Sequence, residues 1–200
     1  MRKQKVLIVP LFLLLAMTWL ASCGKSYTFH GTVNDPPQPA TAVVGTNWNG
    51  QPFQLRDQQG KVVVAFFGYT NCPDVCPLTL ANMNEAYQKL GDKAKSVTFV
   101  FISTDPARDT PERLAAYVPA FNREFYGINI PEAALVPIKK AFGIYSEKHT
   151  GDPQPSADSY FVDHTGYVYI IDQKGQWRLT FPYDAPIDDI VADVEQLLAG

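Results

Sequence analysis

Few side chains in this 200-residue sequence can hold a soft metal or pass electrons: three cysteines, three histidines and three methionines. Cys72 and Cys76 stand four positions apart in GYTNCPDVCPLTL (residues 68–80), behind the apolar run VVVAFF and beside Pro73 and Pro77. The run reads as a buried strand, and Leu80, Met83, Tyr87 and Leu90 recur at helical spacing after it, with Gly91 as a stop. Cys72 is therefore expected in the loop beyond the strand end and Cys76 at the start of a helix. Residues i and i+4 of a helix lie about 6 Å apart along its axis, and a disulfide needs Cα atoms roughly 4.4 to 6.8 Å apart, so a bridge and a shared metal are both open. Helix N-terminal amides favour a thiolate, so at least one of the two thiols is expected to have a lowered pKa.

The first 22 residues belong to a different part of the molecule. MRKQK is a cationic start, VLIVPLFLLLAMTWL is an apolar stretch of 15 residues containing Pro10, and LASC ends on Cys23. The stretch is short of the ~20 residues that span a bilayer comfortably, and the pattern is that of an export signal. It resembles a bacterial lipoprotein signal, cleaved before a cysteine that then receives lipid. The expected organisation is a signal peptide over 1–22, a lipid-anchored flexible tether over 23–40 and one globular domain over 41–200. An uncleaved N-terminal anchor is the alternative; either way the domain sits outside the cytoplasm on a membrane surface. Without Arg2, Lys3 and Lys5 the 17 basic residues become 14 against 20 acidic ones, a formal charge of -6. That balance argues against a nucleic-acid partner.

Setting Cys23 aside leaves Cys72 and Cys76 as the mature domain's only cysteines. An oxidising compartment favours their disulfide unless a reductant or a metal holds them. Two thiolates favour Cu(I) or Zn(II), but zinc sites of four cysteines, or of three cysteines and one histidine, need more cysteines than remain. Cu(I) accepts lower coordination, so two sulfurs and one imidazole suffice. His30 falls in the lead-in and His149 follows the polar SEK. His164 ends the strand-like YFVD and precedes a turn, from which a side chain can reach a neighbouring loop; a structural, hydrogen-bonded histidine is equally at home there. Met83 is the one mature methionine, which excludes a Met-rich copper relay.

The elements that must position these residues alternate. A strand, turn and second strand are expected in FQLRDQQGKVVVAFF, and a buried strand in SVTFVFIST. A helix is expected in DTPERLAAYVPAF, with Thr110 as N-cap, Pro111 at the first position and Pro119 as an interruption. A short helix over 131–142 carries Pro137. Two strands flank Gly166, a last strand follows Lys174 and Gly175, and a helix closes over 186–198. Alternation first and a hairpin later imply an α/β fold, a mixed central sheet flanked by helices.

Three blocks, GYTNCPDVCPLTL, TDPARDTPERLAAY and YFVDHTGYVYIID, resemble in order and spacing the Sco/SenC family of thioredoxin-fold copper proteins that assist cytochrome c oxidase assembly. The likeness covers roughly residues 40–200, with Thr104 and Ala107 as mild departures. It implies a thioredoxin-like fold and one copper, Cu(I) or Cu(II), bound per domain by Cys72, Cys76 and His164. It also implies delivery to the CuA centre in subunit II of cytochrome c oxidase, with other copper chaperones as further partners. The alternative expectation is a membrane-tethered thiol-disulfide oxidoreductase that reduces the CuA cysteines, with Cys72 as the attacking thiol and His164 expendable. A peroxiredoxin-like reading lacks the expected Pro-x-x-x-Thr-x-x-Cys arrangement, since Thr70 stands two positions before Cys72. Asp105, Arg108 and Asp109 could form a docking surface, though capping and local structure is the commoner use of such a turn. Asp74 is expected in solvent, and Asp158 or Asp163 could orient His164.

Overall fold

The computed structural model describes residues 27–40, 42–149 and 160–200. The signal segment, Cys23 and Asp158 lie outside the described residues, as do the side chains of Phe161, Asp163 and His164. Ten strands and four α-helices are described: β1 (Thr32–Pro39), β2 (Val44–Asn47), β3 (Pro52–Gln54), β4 (Val62–Gly68), α1 (Val75–Leu90), β5 (Val97–Ser103), α2 (Pro111–Tyr117), β6 (Tyr126–Asn129), α3 (Glu132–Ala141), β7 (Ser146–His149), β8 (Phe161–His164), β9 (Tyr167–Ile171), β10 (Gln176–Pro182) and α4 (Ile187–Ala199). Eight strands form one sheet in the order β1-β10-β9-β4-β5-β6-β2-β3, and β7 and β8 form a separate hairpin. The sheet is mixed, as expected: β4 pairs parallel with β5 and antiparallel with β9.

All seven residues of β4 are buried, because both faces of the sheet are covered. Its side chains alternate between two cores. Val62, Val64 and Phe66 join Cys76, Leu80 and Val194 on one face; Val63, Ala65 and Phe67 join Leu135, Ile138 and Phe142 on the other. The strand is thereby clamped along its whole length, and its carboxyl end is a fixed platform for the loop carrying Cys72.

Differences from the sequence reading fall at the edges. β1 carries Pro36, Pro37 and Pro39 and lies at the sheet edge, where a missing N–H costs no ladder bond. β6 and β7 have four residues each, too few to show a period. Pro119 does end the helix: α2 stops at Tyr117 and passes into a 3-10 turn over Val118–Ala120.

The end of the expected flexible tether, from Tyr27 onward, is docked instead. Asp193, wholly buried on α4, accepts hydrogen bonds from the Tyr27 hydroxyl (2.8 Å), the His30 amide (2.9 Å) and the Gly31 amide (2.9 Å), and lies 2.9 Å from His30 Nδ1. Hydrogen bonding to Asp193 raises the pKa of His30 above its usual 6.5. A raised folded-state pKa stabilises the docked form fully below the unfolded value and is lost as pH rises through the raised one. We therefore expect amide exchange at His30 and Gly31, corrected for intrinsic rates, to accelerate on the alkaline side of that transition. Asp193→Asn should remove the acceleration's pH dependence; an unchanged profile in that variant would contradict the coupling.

Candidate functional site

The two cysteines sit where the strand clamp ends. Cys72 lies in the loop after β4, half-buried, and Cys76 is the second residue of α1, with no exposed surface. The Cys76 amide points at the Cys72 sulfur, 3.4 Å away, so a sulfur takes a position that a capping oxygen often fills at a helix start. Asp74 occupies the N-cap position, makes no side-chain capping bond and is exposed, as expected from the sequence.

The expected lowering of a thiol pKa is not what Cys76 shows. Burial pushes its pKa up, and the hydrogen bond and charge of Cys72 add to the shift. The helix start does supply a donor, but it serves the Cys72 sulfur, whereas Cys76 has been drawn into the apolar core. The pair is therefore asymmetric, with one half-exposed sulfur at an amide and one buried sulfur behind it.

Gly68 makes room for the buried sulfur. A Cβ at this position would stand 2.7 Å from Cys76 Sγ, 2.8 Å from Phe66 and 2.9 Å from Phe101. Its carbonyl also accepts from the Thr104 amide (2.7 Å) and the Thr104 hydroxyl (3.1 Å), which ties the end of β4 to the segment after β5. The sequence carried a sign of this: an isolated glycine closing a buried strand marks a close approach.

Asp105, Arg108 and Asp109 are buried, so they are braces and not a docking surface. Asp109 accepts from the Thr70 amide (3.1 Å), the Thr70 hydroxyl (2.6 Å) and the Ser103 hydroxyl (2.6 Å), holding the residue two before Cys72 against the end of β5. Burial raises the Asp109 pKa, and these donors oppose the shift. Arg108 pairs through Nε with Asp105, donates to the Tyr160 carbonyl (2.9 Å), and lies 3.5 Å from the centre of the Tyr160 ring. The Tyr160 hydroxyl returns to Asp105 at 2.7 Å.

This brace fixes the approach to β8. Tyr160 precedes that strand, and the backbone of Val162 within it hydrogen bonds with Tyr69, which follows Gly68. Beyond β8, a Cβ on Gly166 would lie 3.4 Å from Val75, the residue before Cys76. Val75, Thr165, Gly166, Tyr167 and Tyr183 wall a groove of about 410 Å³. The backbone of β8 is thus tied at Val162 to Tyr69, and the chain just beyond the strand, at Gly166, lies close to the residue before Cys76. The structure brings Cys72 and Cys76 together and sets the strand bearing His164 next to them. His149 faces Phe161 in the β7–β8 ladder, and His30 belongs to the Asp193 cluster. Among the described residues, no three His, Cys, Asp or Glu side chains converge in a metal-sized cluster.

A mixed sheet between helices, with a cysteine pair at the carboxyl end of its central strand and the start of the following helix, defines a protein of thioredoxin-like fold. The family model described as SCO1/SenC matches residues 40–199, and the chain belongs to that family. A SCO2-like protein of Rickettsia felis is 31% identical over 143 residues, covering 72% of this chain and 69% of that protein. The solution structure of apo Sco1 from Thermus thermophilus is 36% identical with a TM-score of 0.73, covering 88% of this chain and all (100%) of that one. The structure of Bradyrhizobium japonicum ScoI with copper bound is 30% identical with a TM-score of 0.70, covering 84% of this chain and 99% of that one.

Proposed function

We propose that this protein is an exported copper metallochaperone, held at a bacterial membrane by lipid on Cys23, that binds one copper through Cys72, Cys76 and His164. Copper is its cargo, delivered to the CuA centre of cytochrome c oxidase subunit II by exchange of these ligands for those of the recipient. The observation that carries the reading is the placement of β8 near the cysteine loop, with the backbone of Val162 hydrogen-bonded to Tyr69 and Gly166 close to Val75. Family membership and the copper-bound ScoI relative support it. Two sulfurs and an imidazole suit a soft, low-coordinate ion. The half-exposed Cys72 leaves one ligand open to an incoming thiolate. In this reading the lipid lies four positions before Tyr27, whose hydroxyl donates to Asp193 of the domain, so the domain stands close to the membrane surface.

The test is copper binding by the full-length chain in detergent, wild type beside Cys72→Ala, Cys76→Ala and His164→Ala. Each variant should lose the Cu(II)-thiolate charge-transfer bands or shift them strongly, with affinity falling by at least tenfold. If His164→Ala keeps wild-type bands and affinity, the three-ligand assignment fails.

A second reading, thiol reduction of the CuA cysteines, is favoured by the asymmetry of the pair. An exposed attacking sulfur and a shielded resolving one suit thiol-disulfide exchange. In that case His164→Ala retains reductase activity toward a disulfide-containing subunit II fragment, while both cysteine variants lose it.

A further inference from the structure

Between α3 and β7 lies a cleft of about 690 Å³, large enough for a small organic ligand, and none of its lining residues belongs to the cysteine loop. Lys139 on α3 and Ser146 on β7 stand on its two walls, Lys148 follows on β7, and Pro106, Ala107 and Val162 supply apolar lining. The Lys139 side chain is only 15% exposed, yet no carboxylate among the described residues comes close to its ammonium: Glu132 Oε1 lies at 3.4 Å, and the Ser146 hydroxyl at 3.2 Å. A charge-assisted hydrogen bond is ordinarily about 2.7–2.9 Å long. More exposed lysines of this protein do reach that range, Lys89 with Asp188 at 2.7 Å and Lys95 with Asp92 at 2.8 Å. The more enclosed ammonium is thus the less closely paired, the reverse of what burying a charge demands.

The other charges of the cleft do not fill that place. Glu132 is 56% exposed and makes only the long contact to Lys139. Glu147 turns away: alternation along β7 puts Ser146 and Lys148 on one face, and the Glu147 carboxylate accepts from the Tyr145 hydroxyl on the other. Lys148 Nζ stands 3.8 Å from Asp105, whose carboxylate is already held by Arg108 and the Tyr160 hydroxyl. Two ammonium groups against one carboxylate leave a place for one further negative charge, carried on a body apolar enough to lie against proline, alanine and valine.

We propose that this cleft is a carboxylate-binding site, in which Lys139 and Lys148 take the carboxylate of a monoanionic ligand with a short apolar stem, either a small free acid or a glutamate side chain of a peptide. A phosphate dianion fits less well, because the Glu132 carboxylate opposes a second negative charge. The site stands apart from the two sulfurs and does not depend on the copper reading.

The test is an amide NMR titration of the isotope-labelled full-length chain in detergent, at constant ionic strength. The probes are butyrate, its neutral isostere butyramide, and capped alanine tripeptides with glutamate or glutamine at the centre. Butyrate or the glutamate peptide should shift the amides of Lys139, Ser146 and Lys148 and saturate below about 50 mM, a range open to ligands this small, while the neutral probes should not. Whichever of the two carboxylates binds more tightly identifies the source. Lys139→Met should weaken binding by about tenfold, the usual value of a hydrogen bond to a charged group. Lys148→Met should weaken it by about threefold, as befits a more exposed charge. The Lys148 side chain is 52% exposed, so that variant keeps the fold even where the more enclosed Lys139 resists replacement. No saturable shift with either carboxylate, equal shifts with the neutral probes, or wild-type affinity in Lys148→Met would overturn the proposal.

Discussion

Gly68→Ala is expected to lower the stability of the metal-free protein by about 1–3 kcal/mol, the usual cost of overpacking a filled core. It should weaken copper binding by an order of magnitude or more. The added methyl would fall 2.7 Å from Cys76 Sγ and within 3 Å of two phenylalanine rings, all of them enclosed. Real Cβ atoms do not approach so closely, so something must move. Phe66 and Phe101 are both fully buried, and their rings cannot rotate away without opening the core. The sulfur has more freedom, since it sits on a helix start whose preceding loop is held by polar contacts at Thr70 and Asn71 and not by close core packing on both sides. In the proposed copper site, displacement of Cys76 would alter the spacing of the two sulfur ligands. Denaturant unfolding of the metal-free chain and a copper titration measure the two effects separately. Wild-type stability and wild-type affinity together would show that the close approach at Gly68 is not what sets the sulfur.

Arg108→Met is expected to cost more, about 3–5 kcal/mol, the range for removing one partner of a buried ion pair. Asp105 has no exposed surface, and it would keep the Tyr160 hydroxyl as donor but lose the guanidinium. Lys148 stands 3.8 Å away but is itself half exposed and cannot replace the enclosed pair. The same substitution frees the Tyr160 carbonyl and removes the cation from the Tyr160 ring, so the entry to β8 loosens. Exchange at the Val162 amide should rise well beyond the global change. The double variant Asp105→Leu, Arg108→Met should recover most of the loss, because no charge is then left buried without its partner. Equal losses in the single and double variants would mean that shape, and not charge, holds the brace.

The sequence was most legible where chemistry and periodicity coincide. VVVAFF reads as a doubly covered strand because all its residues are apolar, and every one of them is buried. The helices of GYTNCPDVCPLTL and DTPERLAAY were legible from spacing and from the Thr110 cap, which accepts from the Arg113 amide. The docked lead-in was not. Its anchor, Asp193, reads as one more polar residue of a terminal helix, and nothing local tells that three donors more than 160 positions away converge on it. β7 was equally hidden, since SEKH has no alternation to detect and exists as a strand through its partner β8.

By itself the sequence set out the chemistry available: a pair of thiols four positions apart, three histidines, too few cysteines for a four-cysteine or three-cysteine zinc site once Cys23 is set aside, and an α/β order that puts the pair at a strand end. These follow from residue type and spacing, which no folding alters. Only the tertiary structure decided how the two sulfurs differ. Spacing places Cys72 in the loop and Cys76 at the helix start but does not say how deep either lies; in the structure one meets an amide at the surface and the other is enclosed by Gly68, Phe66 and Phe101. Burial depends on what the far ends of the chain bring together, and here burial is strong enough to raise the pKa of a thiol that the helix start alone would lower. The same holds for Asp105 and Arg108: the sequence suggested local structure over a docking surface, but not that Tyr160, more than 50 residues later, closes over them.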